Sequence, residues 1–249
     1  IGAAGRLRLA KAQWWLLARI AGWDGTAGSS WLGVTTDWNV ATNWSSGSVP
    51  GPATDVIIPD VVNRPHVNIT DAQCNNLTVN TSAGLQIDAG QALTVNGNLT
   101  NNGAFTIESD GTAGSGSLIV AGTSTGNITY NRTMPASMYH YISSPVSSAT
   151  LPSGPAYWFW DEPSGKWLVT TACESGKGYT MLADGSRVSF TGTVAASAVQ
   201  TGTAPYYSAE QRYVNERGVW GGGGWNLLGN PFTSAMDATL FLGTNAVSL

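Results

Sequence analysis

The chain has 249 residues, enough for a sizeable core in one large or two medium domains. Charged residues are only 10%, against 31 glycines and 11 tryptophans, which excludes the charge-rich, aromatic-poor signature of disorder. The formal net charge is −4, but Arg6, Arg8, Lys11 and Arg19 hold four of the 11 basic residues; the remainder sets seven basic residues against 15 acidic ones and has no basic stripe for nucleic acid.

Low charge with abundant Gly, Ser, Thr, Asn and aromatics suits a β-rich extracellular protein, because Gly and Asn tolerate the positive φ angles of tight turns. The expected class is all-β: a short parallel β-helix followed by an antiparallel β-sandwich, with an N-terminal helical appendage. Residues 1–30 form that appendage, 31–132 a Trp-rich cap and the β-helix, and 133–249 the sandwich.

The first 23 residues, "IGAAGRLRLAKAQWWLLARIAGW", are basic and carry Leu, Ala and Trp at helical spacing. A secretory-signal remnant, a gene-fragment artefact and an amphipathic helix all fit this pattern. Arg19 interrupts the apolar run, which is too short to span a bilayer, so no transmembrane span is expected. An appendage to the fold is favoured over a membrane anchor.

In "WLGVTTDWNVATNWSSGSVPGPATDVIIP" (31–59), Trp31, Trp38 and Trp44 recur among turn formers. They fit either an exposed sugar-stacking platform or a seal over the end of a β-structure, and the seal is favoured because large aromatics usually pack. Short alternating units follow at Val67–Ile69, Leu77–Val79, Leu85–Ile87, Leu93–Val95, Phe105–Ile107, Leu118–Val120 and Ile128–Tyr130. Each puts two apolar side chains on one face, the period-two mark of a strand. Asn- and Gly-rich corners separate them, and Asn side chains can form ladders between stacked coils. Leu77, Leu85, Leu93, Phe105 and Leu118 are the expected common core. After Arg132 the strands lengthen and gain aromatics, with "DEPSGK" (161–166) as a hairpin turn between Trp160 and Trp167. The last residues, "SAMDATLFLGTNAVSL", carry no terminal signal, and the chain is expected to be a piece of something longer.

The stretches "WLGVTTDWNVATNWSSGSVP", "CNNLTV", "LTVNGNLTNNGAFTI", "YHYISSPV", "YWFWDEPSGKW", "GKGYTM", "VSFTGTV" and "GWNLLGNPF" run in an order that resembles large secreted surface proteins of Bacteroidetes. The resemblance covers roughly residues 31 to 237. It implies an adhesin-like protein exported by the type IX secretion route, located outside the cell or on its surface. The sorting domain of that route is not among the matching motifs.

The candidate chemistry is sparse. "GTSTG" (122–126) fits the letters of a nucleophile elbow, but no helix is expected after Ser124. His66 and His140, the two histidines, lie beside expected strands without metal-ligand spacing. Cys74 and Cys173 form no CxxC motif, and the sequence leaves open whether they pair. Asp161 and Glu162 are the candidate catalytic acids, flanked by Trp158, Trp160 and Trp167 as candidate ligand-binding aromatics. Consecutive strand residues point to opposite faces, so solvated turn acids are the favoured reading. Asp88, Glu108 and Asp110 form another set on the coils; acids so placed bind calcium and polysaccharide in pectate-lyase-like β-helices, and calcium is the one cofactor such a set would take. No P-loop is present.

The favoured function is a secreted or cell-surface structural and adhesive region that binds an extracellular glycan or matrix. The competing reading is a polysaccharide-active hydrolase or lyase. Alternation puts Trp158 and Trp160 on one sheet face and Phe159 on the other, and the Trp face is expected in the core.

Overall fold

The computed structural model describes residues 2–20, 28–147, 149–153, 156–161, 164–195, 213–214, 220–221 and 226–245. In chain order the elements are α1 (Ala3–Ile20), β1 (Gly28–Ser30), β2 (Asp55–Ile58), β3 (His66–Val67), β4 (Ala72–Cys74), β5 (Leu77–Val79), β6 (Gly84–Ile87), β7 (Ala92–Val95), β8 (Leu99–Asn101), β9 (Ala104–Asp110), β10 (Gly114–Ser115), β11 (Ser117–Val120), β12 (Ser124–Thr125) and β13 (Ile128–Thr133). Then come β14 (Tyr139–Ile142), β15 (Tyr157–Asp161), β16 (Lys166–Thr170), β17 (Tyr179–Leu182), β18 (Arg187–Gly192), β19 (Tyr213–Val214), β20 (Trp220–Gly221) and α2 (Ala238–Asn245).

The strands from β2 to β13, apart from β10, which folds back antiparallel on β9, wind into a parallel β-helix of about 4 turns with three faces. One face stacks β1-β2-β5-β8-β12, the second β3-β6-β9-β13 and the third β4-β7-β11. Register sets Val56 against Leu77 and Leu77 against Leu99, so each coil adds one inward apolar residue over the last. Leu77, Leu85, Leu93, Phe105 and Leu118 are buried together, as the alternation anticipates.

The corners before the first face are tied by side chains. Asp55 Oδ1 accepts from Asn76 Nδ2 at 2.8 Å and from the Asn76 N–H at 3.1 Å. Asn76 Oδ1 accepts from the Asn98 N–H at 2.9 Å, and Asn98 Oδ1 accepts from the Thr123 N–H at 2.8 Å. One polar side chain per coil thus satisfies backbone donors on the next coil, where the chain turns and cannot bond to itself. The corner at Gly122 has no room for a Cβ, which would meet Asn98 Oδ1 and the Gly97 carbonyl oxygen.

The N-terminal end of the solenoid is sealed by Trp31, Trp38 and Trp44, all buried. Trp44 packs edge-on against both others, at 5.0 Å from Trp31 and 4.7 Å from Trp38. The Trp31 Nε1–H donates to the Asn63 carbonyl at 2.7 Å and the Trp44 Nε1–H to the Trp38 carbonyl at 2.9 Å. These indoles are a cap and not a sugar platform.

At the other end, β18 pairs antiparallel with β13 over six residues and extends the second face. Strands β14, β17, β15 and β16, in that order, form a separate antiparallel sheet. Its inner face contributes Ile142, Tyr157, Tyr179 and Met181 to the core cluster that also holds the solenoid's residues. The segment around Thr233 then covers the third face beside β11: the Thr233 Oγ1–H donates to the Leu118 carbonyl at 2.6 Å.

Helix α1 exposes Leu7, Leu9, Trp14, Trp15, Leu16 and Leu17, and the core cluster contains none of them. Among the described residues, no helix is long and apolar enough to cross a membrane.

Candidate functional site

The antiparallel sheet overturns one expectation. Trp158 lies opposite Thr180 and Val169, Trp160 opposite Trp167, Tyr141 opposite Thr180, and Tyr139 opposite Leu182. These residues share the outer face. Tyr157 and Phe159 take the inner face, where Tyr157 is buried and Phe159 packs against the core with Lys177 Nζ 4.2 Å above its ring. The Trp face is therefore the solvent side. The physical reason lies on the neighbouring strands: Ile142, Tyr179 and Met181 are in phase with Tyr157 and Phe159, and that set fills the space over the solenoid's end.

The outer face is an aromatic surface. Tyr139 is 66% exposed, Tyr141 72% and Trp167 41%, while Trp158 and Trp160 are half-buried by their neighbours. Tyr139 meets Trp158 at 6.1 Å between ring centroids, Trp160 meets Trp167 at 5.6 Å, and Tyr141 lies nearly parallel to Trp167 at 6.4 Å. The rings lean together over Thr180, which is buried although it sits on the outer face. Between them is a groove of about 510 Å³ lined by Tyr139, His140, Tyr141, Trp158, Trp167 and Thr180. No carboxylate, Lys or Arg is among these lining residues. Such a groove offers apolar ring faces flanked by phenol and hydroxyl groups, a chemistry that holds a ligand with alternating C–H and O–H surfaces. Sequence reasoning found the three tryptophans but missed Tyr139 and Tyr141, whose alternation in "YHY" was the available signal.

The candidate acids do not converge. Asp161 is a turn residue: its Oδ2 accepts the Ser164 N–H at 3.1 Å, and its carbonyl accepts the Gly165 N–H at 2.9 Å. Glu162 lies outside the described residues. Asp88 turns to His66 Nδ1 at 3.1 Å and to Gln86 Nε2 at 2.7 Å. Glu108, one coil further on, instead accepts from Asn131 Nδ2 at 2.8 Å and pairs with Arg187 at 3.2 Å. The backbone N–H groups of Ala113 and Thr112 hold the half-buried Asp110 carboxyl below the usual range. Among the described residues, no three His, Cys, Asp or Glu side chains gather as metal ligands would.

The remaining reactive side chains are placed as structure. Ser124 sits in β12, paired with Leu99, and the next element is strand β13, so the nucleophile-elbow letters form no elbow. The imidazole Nε2 of His140 lies 3.1 Å from the Pro135 carbonyl. Cys74 and Cys173 are both free thiols, which resolves the pairing left open by the sequence. Burial, and then the Asp55 carboxylate, pushes the Cys74 thiol up to about 12.

A parallel β-solenoid carrying an antiparallel sheet with an exposed aromatic face defines the class of protein. The chain belongs to the family described as Domain of unknown function (DUF8693), whose model matches residues 30–249. No curated protein and no solved structure matches the chain.

Proposed function

We propose that this protein is a secreted or cell-surface β-scaffold that binds an extracellular glycan on the outer face of its antiparallel sheet. The observation that carries the reading is the group of five aromatic side chains, Tyr139, Tyr141, Trp158, Trp160 and Trp167, on one solvent-facing surface. Exposed apolar area costs solubility and is seldom kept contiguous without a ligand to cover it. Sugar rings suit it because their C–H faces stack on aromatic rings while their hydroxyls stay hydrated. The low charge of the chain and its resemblance to Bacteroidetes surface proteins support a place outside the cell, with type IX export as the route. The separate engagement of Asp88, Glu108, Asp110 and Asp161 favours binding over hydrolysis or lysis.

A titration of intrinsic tryptophan fluorescence with a panel of soluble polysaccharides tests the proposal. A saturable change that disappears in Trp158→Ala and Trp167→Ala, with the melting temperature retained, is expected. A panel that leaves the emission unchanged overturns it.

A further inference from the structure

Beside the aromatic groove lies a second hollow, of about 360 Å³, where the end of the solenoid meets strand β14. Ser115, Ser117, Arg132, Tyr141, Ser143 and Asn230 are among its walls. Tyr141 lines both hollows, so they adjoin at β14 and one extended ligand passing over this strand can engage both.

Arg132 is the charged side chain among the described residues of this wall. Its guanidinium donates one long hydrogen bond, 3.4 Å, to Ser115 Oγ. No carboxylate pairs with it among the described residues, and Glu108, on the neighbouring strand, is taken by Arg187 and Asn131. A guanidinium has five N–H donors in a planar fork that matches a carboxylate. Arg132 is exposed at the rim of a hollow whose other polar side chains are hydroxyls and an amide, and Ser115 is the one partner of its guanidinium among the described residues. Such a wall is complementary to a sugar ring bearing an acidic group, with the fork on the carboxylate and Ser hydroxyls toward those of the sugar, while the Asn230 amide is held in place by the Ser234 carbonyl and the Phe232 N–H.

We infer that the Arg132 hollow is an anionic subsite and that the glycan held by the aromatic face is a uronate-containing one. The inference rests on the glycan reading of the aromatic groove and adds the acidic substituent to it. The aromatic groove takes one ring by stacking, and the hollow takes the carboxylate of a neighbouring residue of the same chain.

The test uses three probes at fixed ionic strength on the full protein: a neutral β-linked oligosaccharide, its uronate counterpart of equal linkage and length, and a monomeric uronate. Calorimetric titration of the native protein should give tighter binding of the acidic oligosaccharide by about tenfold or more, the scale of a charge-assisted hydrogen bond. Arg132→Gln should erase that preference and leave the neutral affinity unchanged, while Arg132→Lys keeps part of it. Equal affinities for both oligosaccharides in the native protein, or a preference that survives Arg132→Gln, overturns the subsite and leaves the aromatic groove standing. Binding of the monomeric uronate that is lost in Arg132→Gln, with no binding of the neutral oligosaccharide, keeps the subsite and sinks the glycan groove. Failure of all three probes overturns both.

Discussion

Single polar residues set the register of this solenoid. Asn76 is a hinge in the ladder from Asp55 to Asn98 and Thr123: it donates to the coil below and accepts from the coil above. Asn76→Ala leaves the Asn98 N–H and the Asp55 carboxylate each short of a partner, so a loss of roughly 1–3 kcal/mol in denaturant stability is expected. A variant as stable as the native protein would show that water replaces the ladder without cost. Cys74 makes a different prediction. Its thiol is held neutral, up to about 12 against an ordinary 9.0, so the folded state keeps its proton over a range in which the unfolded chain loses it. Its contribution is complete below pH 9 and is lost as pH rises toward 12, at about 1 kcal/mol per pH unit. Burial also raises the Cys173 thiol from the same ordinary value and the Tyr157 and Tyr179 phenols from 10.0, so the decline between pH 9 and 10 belongs to the two thiols together. Cys74→Ala, though less stable throughout, should show a flatter decline across that interval in urea titrations.

At the scale of elements, strands whose inward pair is two large apolar residues were legible, and β4, β8 and β12, which lack such a pair, were not. Leu93–Val95 and Phe105–Ile107 announce themselves by alternation, and both are buried as expected. Strand β8 did not: Leu99 is its one apolar residue, and its second inward position is Asn101, buried and donating to the Asn127 carbonyl. An inward amide looks like a corner in any hydrophobic pattern. Strand β12, Ser124–Thr125, has no apolar residue and owes its existence to parallel pairing with β8. The aromatic site was half legible for a related reason. In "YWFW" both phases of the strand are aromatic, so alternation separates two sets but does not say which is inside. The neighbouring strands decide, and their pairing order is not written in the local sequence. Helix α1 is the opposite case, a strong local pattern with its large apolar side chains left out of the core. Removing residues 2–20 should leave the thermal midpoint within about a degree, since exposed groups contribute little to stability. A fall of several degrees would place Trp14 or Leu17 against the body in solution.

The whole molecule behaves as a solenoid closed at both ends. A parallel β-helix is a stack of coils, each stabilised by its neighbours, and its terminal coils need covers because their edges and apolar layers are otherwise open. Trp31, Trp38 and Trp44 cover the first end. At the other end β18 pairs with the last long strand, β13, and Val188 and Phe190 bury on the core side. The antiparallel sheet joins the same cluster through Tyr157, Tyr179 and Met181, and Thr233 bonds back to Leu118. The expected boundary between residues 132 and 133 falls within β13, whose residues 128–133 pair as one strand with β18. Breaking the chain there would cut hydrogen bonds and expose an apolar layer, so the two parts should unfold together. Leu93→Ala, deep in the solenoid, and Met181→Ala, on the inner face of the antiparallel sheet, each remove a buried side chain at a cost of roughly 2–5 kcal/mol. In scanning calorimetry both variants should move one and the same transition downward by several degrees. Two resolved transitions, with Met181→Ala shifting only one of them, would mean that the sheet folds independently and that β18 is a docked strand. In that case the aromatic face could detach from the solenoid while keeping its own geometry. A single transition instead ties the orientation of Tyr141 and the Arg132 wall to the packing of the coils, so that a core substitution as remote as Leu93→Ala would loosen the ligand-facing surface along with the fold.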